Sequence, residues 1–153
     1  QEKAERAARN PAREQAESSL LASVKAGAPA LTRAVELQKK ASTVGFDWND
    51  SRAVMAKMHE EIGEIEAALE SGNTKHISEE IGDLMFVVAN LARHADVDPE
   101  AALRAANAKF ERRFGYIEQT LTARGRTLDQ SSLEEMDGLW NEAKTQEKTK
   151  DTK

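Results

Sequence analysis

At 153 residues the chain is long enough for one domain with a real core and too short for two to be expected. A net charge of −5 argues against broad binding of nucleic-acid polymers through their phosphates, and no run of about 18 apolar residues offers a membrane span. No cysteine is present, which excludes a disulfide framework and a thiolate metal site and agrees with a reducing cytoplasmic setting.

Residues 1–28 are charged and alanine-rich, with Pro11 and Gly27 as interruptions, and read as a linker or an N-terminal helical extension. From Pro29 a helical period emerges in Leu31, Ala34, Val35 and Gln38, and Gly45 closes that helix. Asp50 or Ser51 caps a second helix, whose apolar positions are Val54, Met58, Ile62, Ile65 and Leu69; Ser71-Gly72-Asn73 stops it. A third helix is expected from about Ser78 to His94 on a stripe of Ile81, Leu84, Val88 and Leu91. Met85, Phe86 and Val87 make it apolar almost all round, so it should sit centrally or face a subunit partner.

Asp98-Pro99-Glu100 supplies a capping Asp, a proline at the first helical position and an acid in the first turn. The helix that follows carries Leu103, Ala106, Phe110, Phe114, Ile117 and Leu121, and Gly125 ends it. Ser132-x-x-Glu135 reads as a capping box for a last helix with Leu133, Met136, Leu139 and Trp140. The polar residues 148–153 read as a disordered tail. No segment reads as a strand, so the expectation is an all-α helical bundle over residues 29–147.

The acids of the second and third helices are distributed unevenly. With each apolar stripe centred at zero, Glu61 falls roughly 60° to one side and Glu64 roughly 120°. Glu80 and Asp83 fall at about the same angles on the same-handed side of the third helix. A short connector makes the pair an antiparallel hairpin, whose local two-fold brings both acid pairs to one edge. Four converging carboxylates raise one another's pKa unless a cation is held among them. Oxygen ligands without His or Cys suit a hard ion, Mg²⁺ or Mn²⁺, and Mg²⁺ is commonly completed by substrate phosphates. The competing reading is an ordinary solvated helix edge.

These residues resemble a known family. The pattern EExxE followed by ExxD, here Glu60-Glu61-Ile62-Gly63-Glu64 and Glu80-Ile81-Gly82-Asp83, is similar to that of the MazG nucleoside triphosphate pyrophosphohydrolases. VGFDW at 44–48, EEIGDLMF at 79–86, NLARH at 90–94 and NAKFERRF at 107–114 agree in order, so the resemblance covers roughly residues 29–145. It implies an all-α bundle that forms a homodimer and hydrolyses nucleoside triphosphates to monophosphate and pyrophosphate with Mg²⁺, Mn²⁺ being an alternative. Larger members carry two such domains in tandem; this chain resembles the carboxy-terminal one with its linker, which would account for a start at Gln1.

Position by position, the resemblance implies metal ligation by Glu61, Glu64, Glu80 and Asp83, and nucleotide contacts from the segment Lys57–Glu61 and from the residues before Glu80. It also implies that the basic stretch Lys109-Phe110-Glu111-Arg112-Arg113 meets the phosphates and that Trp140 contacts the nucleotide. One departure is that relatives have a lysine just ahead of the second acid motif, where this chain has Lys75-His76 and a different loop length, which leaves open whether Lys75 or His76 reaches a phosphate.

The residues themselves place Lys109 and Arg113 on one flank of the fourth helix, with Arg112 pointing elsewhere. Trp140 lies at the centre of its stripe, which favours core packing, and Phe46 and Trp48 also read as core or interface. Glu60 and Glu79 are spare carboxylates beside the ligands, and either could accept a proton from an attacking water. Two other classes compete: a non-catalytic helical dimerisation or nucleotide-binding module, and a di-iron carboxylate bundle. A di-iron bundle needs Glu-x-x-His on each of two helices, and here the fourth members are Glu64 and Asp83.

Overall fold

Two helix caps placed back to back, Gly72 and Asn73, turn the chain from one long helix into the next. The computed structural model describes residues 19–48 and 50–151. The expected linker over 1–28 therefore lies largely outside the described residues; its last part holds a short 3-10 turn, Leu20–Ser23, capped by Ser19. The regular elements among the described residues are all helical: α1 (Ala30–Ser42), α2 (Ser51–Ser71), α3 (Thr74–His94), α4 (Pro99–Ala123) and α5 (Leu133–Asp151), with a second 3-10 turn at Leu128–Gln130. The all-α expectation holds.

Local chemistry explains most boundaries. Asp50 accepts the Ala53 amide at 2.9 Å to start α2, and Asp98 accepts the Glu100 amide at 2.9 Å to start α4. Gly72 ends α2 in the left-handed region at φ 67°, and Gly125 follows α4 at φ 68°. Immediately after Gly72, the Asn73 side chain accepts the amides of Lys75 and His76 at 3.1 and 3.2 Å. The third helix thus begins at Thr74, four residues before the expected Ser78. Lys75 and His76 lie on that helix and not in a loop.

Two other expectations need correction. Ser132 accepts the Glu135 amide at 3.1 Å, but the Glu135 carboxylate turns to Arg126 at 2.6 Å, so the capping box is one-sided. The last helix runs on to Asp151 and does not end at Glu147.

The chain divides into two compact units, Gln1–Glu100 and Ala101–Lys153. In the first, α3 packs against both α2 and α1, which makes it the central helix of that unit. Its buried contacts are small: Ala34 and Val35 of α1 meet Ala89 of α3, with Leu31 alongside. Val54 and Ala68 of α2 are completely buried. Gln38 is the buried polar member of the α1 face, and its amide donates to the Phe86 carbonyl at 2.9 Å. The open end of the α2–α3 hairpin is tied by Asp47, which accepts from both Arg93 and His94.

In the second unit Ile117 and Leu121 of α4 pack on Leu139 of α5, surrounded by Phe114, Leu128, Met136 and Trp140. Leu121 is fully buried and contributes about 2 kcal/mol of apolar burial. Phe110 stacks on Phe114 with ring centroids 5.9 Å apart and tilts against Trp140 at 5.4 Å. Leu103, Phe110 and Leu133, expected on apolar stripes, are exposed, as is Phe46.

Candidate functional site

The hairpin geometry delivers three of the four acids together. Carboxylate oxygens of Glu61 and Glu64 on α2 and Glu80 on α3 all lie within 4.8 Å of one another. Their exposure follows the angular order read from the sequence: Glu61 is buried and Glu64 exposed, while the Glu80 side chain is 14% exposed and Asp83 is exposed. Asp83, one turn beyond Glu80, lies outside the three-carboxylate group.

Cations flank the cluster. Lys57 Nζ stands 2.7 Å from Glu61 Oε1 and 2.9 Å from Glu60 Oε1, so one ammonium orders two carboxylates of α2. His76 Nε2 meets Glu80 Oε1 at 2.8 Å, and Lys75 Nζ lies 3.8 Å from Glu79 Oε1. Both contacts are one-turn pairs that exist because the helix starts early enough to include positions 75 and 76. Their spacing was available in the sequence, but an expected loop at 73–77 hid it.

The electrostatics separate Glu61 from Glu64. The hydrogen bond from Lys57 holds the Glu61 carboxyl below its usual range despite burial. Its hydrogen bond with Glu61, followed by desolvation and the charges of Glu61 and Glu80, pushes Glu64 up. Glu61 Oε2 is buried and has no hydrogen-bond partner. An ionised pair of this kind lacks one positive group. The donor set contains oxygens alone, one of them an orphaned buried atom, and this fits a hard divalent cation.

The other residues singled out lie in the second unit. Arg113 donates to Glu147 through Nε at 2.9 Å and Nη2 at 2.8 Å, and Arg112 Nη2 lies 3.6 Å from the same carboxylate. Lys109 is exposed on the same helix. Trp140 is half-buried against the α4–α5 core, with the Arg113 guanidinium 5.4 Å from its ring centroid. Glu147 was not singled out from the sequence, since a partner 34 positions from Arg113 leaves no local signal.

Comparison with known proteins bears on the same stretch. The model of the MazG nucleotide pyrophosphohydrolase domain matches residues 49–116, which include both acid motifs and the basic stretch but not Trp140. The Escherichia coli (strain K12) nucleoside triphosphate pyrophosphohydrolase is 41% identical over 136 residues, covering 88% of this chain and 52% of that protein. The Thermotoga maritima nucleoside triphosphate pyrophosphohydrolase/pyrophosphatase MazG is 39% identical over 132 residues, 86% of this chain and 51% of that protein. This chain carries a match to the MazG domain and is similar to these proteins over most of its own length. It spans about half the length of these two curated relatives. The Bacillus subtilis protein YabN is 44% identical over 133 residues, which are 27% of its length. The MazG match thus covers the whole α2–α3 hairpin from Ser51 to His94.

Proposed function

We propose that the chain is a nucleoside triphosphate pyrophosphohydrolase, releasing nucleoside monophosphate and pyrophosphate with Mg²⁺, or Mn²⁺ in its place. The observation that carries this is the convergence of Glu61, Glu64 and Glu80, with Glu61 Oε2 itself buried and without a donor. The names of the Escherichia coli and Thermotoga maritima relatives point the same way.

In this reading Glu61, Glu64 and Glu80 hold the cation, and Asp83 completes the set. When bound, the ion screens phosphate charge and lowers the pKa of a water. The chain's own residues do the rest. Lys57 fixes the rotamers of Glu60 and Glu61, and His76 fixes that of Glu80. Attack is at the α-phosphorus, and Glu60 or Glu79 takes the proton of the attacking water. Lys75 or His76, together with Lys109, Arg112 and Arg113, is assigned to the phosphates, with Trp140 as the nucleotide contact.

A homodimer belongs to the same proposal. Met55, Ile62 and Leu69 recur every seven residues on α2 and are all exposed, as are Ile81, Met85 and Val88 on α3. This is coiled-coil spacing on a face left exposed among the described residues. No helix among the described residues is long and apolar enough to cross a membrane, and a cytoplasmic enzyme is the proposed setting.

Incubation with each nucleoside triphosphate and Mg²⁺ tests the activity. Monophosphate plus pyrophosphate supports it; diphosphate plus phosphate, or no turnover with any base, overturns it.

A further inference from the structure

In the second unit, one acid occupies a cluster of cations. Arg113 Nε and Nη2 both donate to Glu147 Oε2, at 2.9 and 2.8 Å, while Arg112 Nη2 approaches Oε1 at 3.6 Å. Lys109, one turn back on α4, also acts on Glu147 through its charge. One carboxylate thus faces three cations carried by a single helix.

The geometry is that of an anion seat held by a small anion. Both Arg113 donors converge on one oxygen, so the two-oxygen fork that guanidinium favours is not formed. A phosphate offers more acceptor oxygens than a carboxylate and more charge to Lys109 and Arg112. Meanwhile Arg113 is kept over the Trp140 ring, 5.4 Å from its centroid. The Arg113 side chain is 15% exposed and that of Glu147 31%, so the pair opens to solvent on the side of the carboxylate.

We propose that Glu147 is an internal competitor for the anion that Arg113 binds, holding the guanidinium in place until a phosphate oxygen displaces the carboxylate. This rests on the assignment of Arg113 to the phosphates given above. Apparent affinity for the anion is then reduced by the fraction of time Arg113 is engaged.

The test is titration calorimetry with inorganic tripolyphosphate in metal-free buffer at low ionic strength. Glu147→Gln should bind roughly five-fold more tightly than wild type. Glu134→Gln, the same charge change in the first turn of α5, should stay within about two-fold. Glu147→Ala must repeat the gain, which guards against an effect of the amide. If Arg113→Ala binds like wild type, the phosphate assignment of Arg113 fails. If Arg113→Ala weakens binding while Glu147→Gln and Glu147→Ala gain no more than Glu134→Gln, that assignment stands and the competitor role of Glu147 is overturned. A gain from Glu147→Gln that persists in the Arg113→Ala background overturns it as well.

Discussion

Lys57 Nζ sits 2.7 Å from Glu61 Oε1, one helical turn away, and keeps that carboxylate ionised in the least exposed position of the acid cluster. The pairing makes Glu61 the proposed ligand with the most to lose. Glu61→Gln should cost at least about 100-fold in kcat/KM, roughly 2.7 kcal/mol. The fold should survive, because Lys57 keeps Glu60 as a partner and like-charge repulsion with Glu64 is relieved. Near wild-type turnover at saturating Mg²⁺ would remove Glu61 from the metal set.

Asp83→Asn tests the fourth position. Asp83 is exposed and outside the three-carboxylate group, yet it is proposed to complete the set once a cation is bound. A loss comparable to that of Glu61→Gln is expected, read as Mg²⁺ affinity by calorimetry. Unchanged affinity would restrict the site to three carboxylates.

The exposed seven-residue repeat on α2 predicts the oligomeric state. Wild type should sediment as a dimer at micromolar concentration, and Ile62→Lys with Met85→Lys should sediment as a monomer with its helical signal intact. A monomeric wild type would contradict the dimer proposal.

Asp47 ties the loop before α2 to the end of α3, and its pH behaviour has a definite sign. Burial raises its pKa, but the hydrogen bonds from Arg93 and His94, together with the charge of Arg93, bring the net value below the ordinary one. A depressed carboxylate stabilises the fold above its unfolded pKa of about 4 and loses that contribution as pH falls through the folded value. Wild type should therefore melt above Asp47→Asn from pH 5 to 7, with the gap closing below about pH 4. A gap independent of pH would mean that the ion pair is not its source.

Trp140 packs on Phe110 and on the core of Ile117, Leu121 and Leu139, so Trp140→Ala should destabilise the second unit by about 3 kcal/mol. Denaturation followed by helical signal checks this. An intact melt with weakened nucleotide binding would make the residue a ligand contact alone.

The legible parts of this protein were local ones. Asp50, Asp98-Pro99 and Ser132 announced three helix starts, and the flank shared by Glu61, Glu64 and Glu80 followed from helical period alone. Asn73 was legible too, but it was read as part of a stop signal and hid the start of α3. The His76–Glu80 and Lys75–Glu79 pairs depend on the turn that this earlier start adds. Contacts made across the fold left no trace in the sequence. Asp47 meets Arg93 46 positions away, and Arg113 meets Glu147 34 positions away; nothing periodic links either pair. The exposure of Phe46 and Phe110 was equally hidden, because apolar identity does not state which apolar positions find a partner.

Hydrolysis in ¹⁸O-labelled water tests the central claim most directly. With Mg²⁺ and a nucleoside triphosphate, products resolved by mass spectrometry should be monophosphate carrying one labelled oxygen and unlabelled pyrophosphate. That pattern requires water to attack the α-phosphorus with pyrophosphate as the leaving group. Label in the pyrophosphate would contradict the point of attack, and diphosphate with labelled phosphate would contradict the reaction itself.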